Sequence, residues 1–315
     1  MPEFQILDDA LTPLKDKSLE PGSTSGIGLA TTKLCLDLGA KVIAGDMNPF
    51  PDGFFQPDTE KTQHSQSRLL FQRTDVTDWA SIRSLFICGF SHFGRIDHVF
   101  ANAGVGPTSN FLEESFEEDT TTGKGDGDGE RLLAPPNLRT VNVNLLGVIN
   151  TVRLGVYYLH RSENDPTTVS RSVVLTASAS SFQNFSAADY TVAKHGVLGI
   201  LRGLVNDLQA DSTPSGPRVR LNAIAPSWTA TGLVARDVLG AMGVEVQEPE
   251  VVARSVVMLC NDEKRHGELI YSWGGRYVEI NQCAGGLLEG ATRAVPNKVL
   301  EEEVVARLKD RSIPL

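Results

Sequence analysis

Short apolar runs alternate along this chain with longer stretches whose apolar residues recur at helical spacing. The segments 41–45 (KVIAG), 68–72 (RLLFQ), 98–101 (HVFA), 172–176 (SVVLT) and 220–225 (RLNAIA) are compact and largely apolar. Such runs suit strands covered on both faces, as in a parallel sheet. Between two of them, Trp79, Ile82, Leu85, Phe86 and Phe93 fall largely on one helical face. Segments 137–160 and 190–209 are long and amphipathic too. The alternation predicts an α/β fold: one domain built on a doubly wound parallel sheet, with helices on both sides.

At 315 residues the chain can bury a sizeable core. Its formal charge of −10, with no Lys/Arg cluster, argues against a nucleic-acid partner. Cys35, Cys88, Cys260 and Cys283 are far apart, and the histidines form no ligand-spaced group, so no metal site is expected. Sparse cysteines fit a reducing compartment. The first 17 residues lack a basic stretch followed by an apolar one, and no run reaches membrane-spanning length. The expectation is a cytoplasmic protein without a membrane partner.

Two regions interrupt the rhythm. Residues 113–130 (EESFEEDTTTGKGDGDGE) are acidic and glycine-rich. They do not make a calcium loop: the twelfth position counted from Asp126 is Asn137, not the required Glu. A solvated insertion over 105–138 is expected instead. The resulting division is an N-terminal extension (1–17), a domain (18–285) and a C-terminal extension (286–315) that carries a charged helical pattern.

The stretch 22–28 (GSTSGIG) places Gly22, Gly26 and Gly28, with Ser25 and Ile27 between and beside them, at the start of a helix. Glycines there let the backbone turn tightly and approach a diphosphate seated on the helix N-terminus. The next strand ends in Asp46, which can accept hydrogen bonds from ribose hydroxyls and would repel a 2′-phosphate. No Lys or Arg lies in the turn or just after Asp46, so NAD is favoured over NADP. The alternative for Asp46 is a strand-end cap.

The strand leading into that turn is anomalous. A central strand buried on both faces should be apolar throughout. Here it reads Lys17, Ser18, Leu19, Glu20 and Pro21, and Pro cannot donate to a ladder. A degraded first strand is expected. Three explanations stand open: a misjoined exon, a strand that survives in shortened form, or a decayed cofactor site.

Together these motifs resemble the short-chain dehydrogenase/reductase family, over about 22–285. The family's TGxxxGxG appears as Pro21-Gly22-Ser23-Thr24-Ser25-Gly26-Ile27-Gly28, with Pro in place of Thr. Asp75-Val76 matches its adenine contact, Asn102-Ala103-Gly104 its fourth-strand turn, and Tyr190 with Lys194 its YxxxK pair. Pro226-Ser227 replaces a usual Pro-Gly, and Thr231 would face the nicotinamide amide. The segments AKHGVLG, APSWTATG and DEKRHGELIYS are similar to fungal members acting on secondary metabolites. The resemblance implies a Rossmann-like fold and a homo-oligomer, dimer or tetramer.

It also implies a catalytic group of Tyr190, Lys194, a serine and Asn144. Tyr190 and Lys194 stand four apart and share a helical face. The ammonium is expected to lower the phenol from its free value near ~10, so that Tyr190 serves as acid or base. The usual spacing for the serine lands on Ala177; Ser178, one residue later, is chosen, ahead of Ser180 and Ser181. Asn144 would help hold a water connected to the lysine. Trp228 and the apolar stretch 232–244 fall where a substrate lid is expected. The expected function is hydride transfer between NAD(P) and a secondary alcohol or ketone on an apolar small molecule, such as a terpenoid or polyketide intermediate. The alternatives are a redox-neutral isomerase or cyclase, and a non-catalytic binding protein.

Overall fold

The computed structural model describes residues 2–8, 11–12, 14, 18–20, 24–54, 67–108, 112, 115–116, 133–162, 171–210, 212–213, 216–217, 219–232 and 236–293. Most of the acidic insertion and of the C-terminal extension therefore lies outside the described residues.

One sheet organises the chain. Its strands are β1 (Ser18–Glu20), β2 (Lys41–Asp46), β3 (Leu69–Arg73), β4 (His98–Ala101), β5 (Ser172–Thr176), β6 (Arg220–Pro226), β7 (Leu269–Trp273) and β8 (Arg276–Glu279). Their spatial order is β8-β7-β6-β5-β4-β1-β2-β3. All neighbours run parallel except β7 and β8. Gly274 and Gly275, with φ of 51° and 83°, turn the chain between that last pair, as a two-residue hairpin requires.

The main helices are α1 (Gly26–Asp37), α2 (Trp79–Phe93), α3 (Gly147–Arg161), α4 (Ala188–Ala210) and α5 (Pro249–Asn261). Side chains alternate across the strands, and both faces are apolar. Val99, Ala101, Val173 and Leu175 pack in one core with Leu85, Phe86, Val152 and Leu201 from α2, α3 and α4. Phe100, Val174 and Ile224 face the other way, toward Cys35 and Leu36 of α1 and Val256 and Leu259 of α5. The doubly wound architecture expected from the alternation is present.

β1 is short but complete in its role. Leu19 pairs with Val42 on one side and His98 on the other, and Glu20 pairs with Val99. Ladder hydrogen bonds join backbones, so three residues can seat a strand without an apolar pattern. Among the three explanations, the shortened strand is the geometry observed. The switch in strand order falls between β1 and β4, where a crevice opens at the carboxyl ends of the strands.

Residues near the N-terminus pack onto the domain. Phe4 bridges Tyr277 in antiparallel fashion and stacks on its ring at 5.8 Å. Ile6, Leu11 and Leu14 are buried in the α1–α5 core. Arg254 donates to the Ile6 carbonyl and pairs with Asp8 at 2.8 Å. No helix among the described residues is long and apolar enough to cross a membrane.

Candidate active site

A cavity of about 480 Å3 opens at the crevice. Its floor is Ser25, Gly26 and Ile27 at the start of α1, and its walls come from the segments after β4, β5 and β6. The first N–H groups of a helix have no partner within it, so this end suits an anion. Gly26 has φ of 49°, and a Cβ there would sit 3.0 Å from Thr231 Cγ2. The chain thus comes close to the helix end where only glycine fits. These residues fit a diphosphate.

Asp46 supports the same turn. One carboxylate oxygen accepts from Thr24 N at 2.8 Å, and the other from Asn48 N at 3.0 Å. The cap and the ribose contact are compatible, since a carboxylate has lone pairs left for hydroxyls. Asp75 Oδ1 accepts from Thr77 N at 2.9 Å and Thr77 Oγ1 at 2.7 Å. The Val76 carbonyl accepts from Asn150 Nδ2 at 3.1 Å. Asp46, Asp75, Val76 and Gly28 do not line the cavity, whereas Asn102 and Thr231 do. Asn102 Oδ1 accepts from Thr176 Oγ1 at 3.1 Å. Gly22 lies outside the described residues.

Tyr190, Lys194, Ser178 and Asn144 all line the cavity. α4 carries the first two on one face. Lys194 Nζ is buried, donates to the Thr176 carbonyl at 2.7 Å, and lies 5.7 Å from the Tyr190 ring centroid. Burial lowers the Lys194 ammonium from 10.5 to about 8. Burial also raises the Tyr190 phenol, partly offset by the Ser178 hydroxyl beside it. The expected acidification by the ammonium is not seen: burial sets the direction for Tyr190, and the Ser178 hydroxyl, not Lys194, supplies the opposing pull.

Ser178 caps the short 3-10 turn Ala179–Ser181. Its Oγ accepts from Ser180 N at 3.2 Å. Ser181 is committed elsewhere, since its Oγ accepts from Ser178 N at 3.1 Å and donates to the Lys194 carbonyl at 2.7 Å. Ala177 also borders the cavity but is 2% exposed and belongs to the core. The hydroxyl next to Tyr190 is Ser178's.

Asn144 sits in a π-helical segment, Asn142–Leu146, just before α3. Such segments re-aim side chains by one extra residue per turn. Its amide clamps the backbone of one residue: Oδ1 accepts from Val105 N and Nδ2 donates to Val105 O, both at 2.8 Å. Two further residues shape the site without a local signature. Asp189 accepts from Tyr190 N at 2.8 Å and Thr108 N at 3.1 Å, tying α4 to the same loop. Burial pushes its carboxyl up, but hydrogen bonds from Thr140, Thr108 and Tyr190 hold it below the ordinary range. Gln247, also buried, donates to the Ser272 carbonyl at 3.0 Å and to Thr229 Oγ1 at 3.2 Å, while its backbone N–H holds the Trp228 carbonyl at 2.9 Å. Of the expected lid, 233–235 lie outside the described residues, and Arg236–Ala241 forms a short helix.

The family model for short chain dehydrogenases matches residues 21–239. The chain belongs to this family. This dehydrogenase is 39% identical over 312 residues to the short-chain dehydrogenase/reductase ascJ of Acremonium egyptiacum, covering 98% of this chain and 96% of that one. It is 29% identical over 287 residues to prx4 of Penicillium rubens, another short-chain dehydrogenase/reductase, covering 83% and 75%. The likeness to fungal members noted in the sequence is thus present across most of the chain. In structure, it superposes on 3-oxoacyl-[acyl-carrier protein] reductase from Brucella melitensis in complex with NAD. The TM-score is 0.64 at 19% identity, covering 82% and 96% of the two chains, which shows the shared fold.

Proposed function

We propose that this dehydrogenase moves a hydride between a nicotinamide dinucleotide, NAD in preference to NADP, and a secondary alcohol or ketone on an apolar small molecule. Family membership supports the reaction and the cofactor class. The observation that carries the reading is the meeting of Tyr190, Ser178 and Lys194 in one cavity whose floor is the α1 N-terminus.

Bound there, the dinucleotide supplies or accepts the hydride. In reduction, Tyr190 gives its phenolic proton to the carbonyl oxygen; in oxidation it takes the proton back. Ser178 holds the same oxygen by its hydroxyl. Lys194, an ammonium at neutral pH, stabilises the phenolate as it forms. Asn144 and Asp189 fix the 105–108 loop that walls the reacting pair. Ser25, Gly26, Ile27, Gly28 and Gly22 would seat the diphosphate, Asp46 the ribose, Asp75 and Val76 the adenine, and Asn102 and Thr231 the nicotinamide end.

The NAD preference is supported by Asp46 and by Met47, Asn48, Pro49 and Phe50, which bring no cation after it. A terpenoid or polyketide intermediate is supported by the likeness to fungal relatives. A homo-oligomer is supported by exposed Leu146, Ile149, Tyr157 and Val192 around the long helices. Placement in the cytoplasm is supported by four free cysteines.

The test is binding and turnover with NADH and NADPH, before and after Tyr190→Phe. Loss of the general acid should cut turnover by about a hundredfold or more while NAD still binds. Full activity in the Phe variant, or no dinucleotide binding, would overturn the proposal.

A further inference from the structure

The cavity wall that runs outward from Tyr190 is aromatic. Phe185 lies between Tyr190 and Trp228, with ring centroids 6.1 Å and 6.0 Å away. Trp228 keeps 39% of its surface exposed where it borders the cavity. From β7, Tyr271 adds a further ring, held by stacking on Trp273 at 5.3 Å and by Phe182 edge-on at 6.0 Å. Aromatic rings pair best with other rings, edge-on or offset.

Charge narrows the occupant further. Among the described lining residues, Lys194 alone carries a formal charge, and its Nζ is held by the Thr176 carbonyl. Among the described residues, no guanidinium or imidazole lines the cavity. Beyond the α1 end that fits the cofactor's diphosphate, a carboxylate or phosphate on the substrate would lose hydration without gaining a dedicated partner. Gln183 and Asn184, both exposed, line the cavity and make no side-chain hydrogen bond among the described residues. They offer neutral donors and acceptors.

We propose that the cavity takes a neutral aromatic or fused-ring ketone, or the matching secondary alcohol, with ring hydroxyl or carbonyl substituents toward Gln183 and Asn184. Phe185 and Trp228 set that preference. The proposal rests on the oxidoreductase reading for its chemistry. The carbonyl carbon receives a hydride from the reduced nicotinamide as its π bond opens. The oxygen takes the phenolic proton of Tyr190, which solvent replaces, leaving the alcohol and the oxidised nicotinamide.

The experiment measures ligand binding to the full chain saturated with oxidised NAD, where a ketone cannot turn over. Three probes are compared by calorimetry: methyl naphthyl ketone, a straight-chain methyl ketone of equal carbon number, and a carboxylated naphthyl ketone. The neutral naphthyl ketone should bind about tenfold tighter than either other probe, as the loss of ring pairing or of hydration implies. Phe185→Ala and Trp228→Ala should each shrink the advantage over the straight chain by about tenfold, with NAD affinity unchanged. Trp228→Phe, which keeps a ring, should retain it. Equal binding of the three probes, tighter binding of the anion, no binding of any, or a preference that survives both alanine variants would overturn the proposal. Tight naphthyl binding with no hydride transfer from NADH would instead sink the oxidoreductase reading and leave this one standing.

Discussion

Lys194 is a buried ammonium that donates to the Thr176 carbonyl, and that has a measurable consequence for stability. Its fall from 10.5 to about 8 is caused by burial. The sign follows from proton linkage. Below about pH 8 the folded chain must keep a charge in a desolvated place, and this costs stability. Between about 8 and 10.5 the folded chain has shed a proton that the unfolded chain still holds, so stability rises with pH. Above 10.5 both states are neutral and the cost is gone. The gap corresponds to about 3 kcal/mol at neutral pH. Lys194→Met removes the charge and keeps the volume, but strands the Thr176 carbonyl, at about 1 kcal/mol. The variant should therefore be about 2 kcal/mol more stable than the parent at neutral pH. It should be slightly less stable above pH 10.5. Urea unfolding of both proteins across that range, without cofactor, reads the difference directly. A variant destabilised at neutral pH, or a difference that stays flat with pH, would refute the reasoning. The same variant should have lost turnover, which makes this residue a case of function held against stability.

Asp46→Arg should raise the ratio of kcat/KM for NADPH over NADH by about tenfold or more, because a guanidinium pairs with a 2′-phosphate. Asp46→Ser should be measured beside it, since the carboxylate also holds Thr24 and Asn48, and an unchanged ratio in both would show that Asp46 does not read the ribose. Gly26→Ala places a Cβ against Thr231 at a φ of 49° and should weaken dinucleotide affinity by about tenfold, seen by calorimetry. Wild-type affinity there would refute the close approach at the helix end. Deleting residues 2–8 removes buried Ile6 and the Phe4–Tyr277 stack, and should lower unfolding free energy by about 3 kcal/mol; an unshifted urea midpoint would refute the docking.

What could be read from the chain alone follows from the range of the forces involved. β2, β4, β5 and β6 announce themselves because strands covered on both faces need apolar side chains at nearly every position. β7 and β8 do not: Tyr271 and Trp273 are only half-buried, Ser272 interrupts the run, and the pair depends on the Gly274-Gly275 turn. β1 escapes in the opposite sense, since its sequence argues against a strand and backbone pairing makes one anyway. In the site, Tyr190 and Lys194 are visible as a pair because helical spacing alone brings them together. The orientation of Lys194 is not, because it is set by a carbonyl 18 residues away. Asn144 with Val105, and Gln247 with Thr229 and Ser272, are likewise polar contacts between distant segments that leave no periodic trace.

The π-helical segment at Asn142–Leu146 makes the length of this stretch as binding as its composition. Excising a single residue from it would let the coil relax to ordinary winding, swinging whatever precedes by about 100° relative to α3. Asn144 would then leave the Val105 backbone even though no side chain had been substituted. Evolution and protein engineers can exchange neighbouring residues here with some freedom, but they cannot change the count.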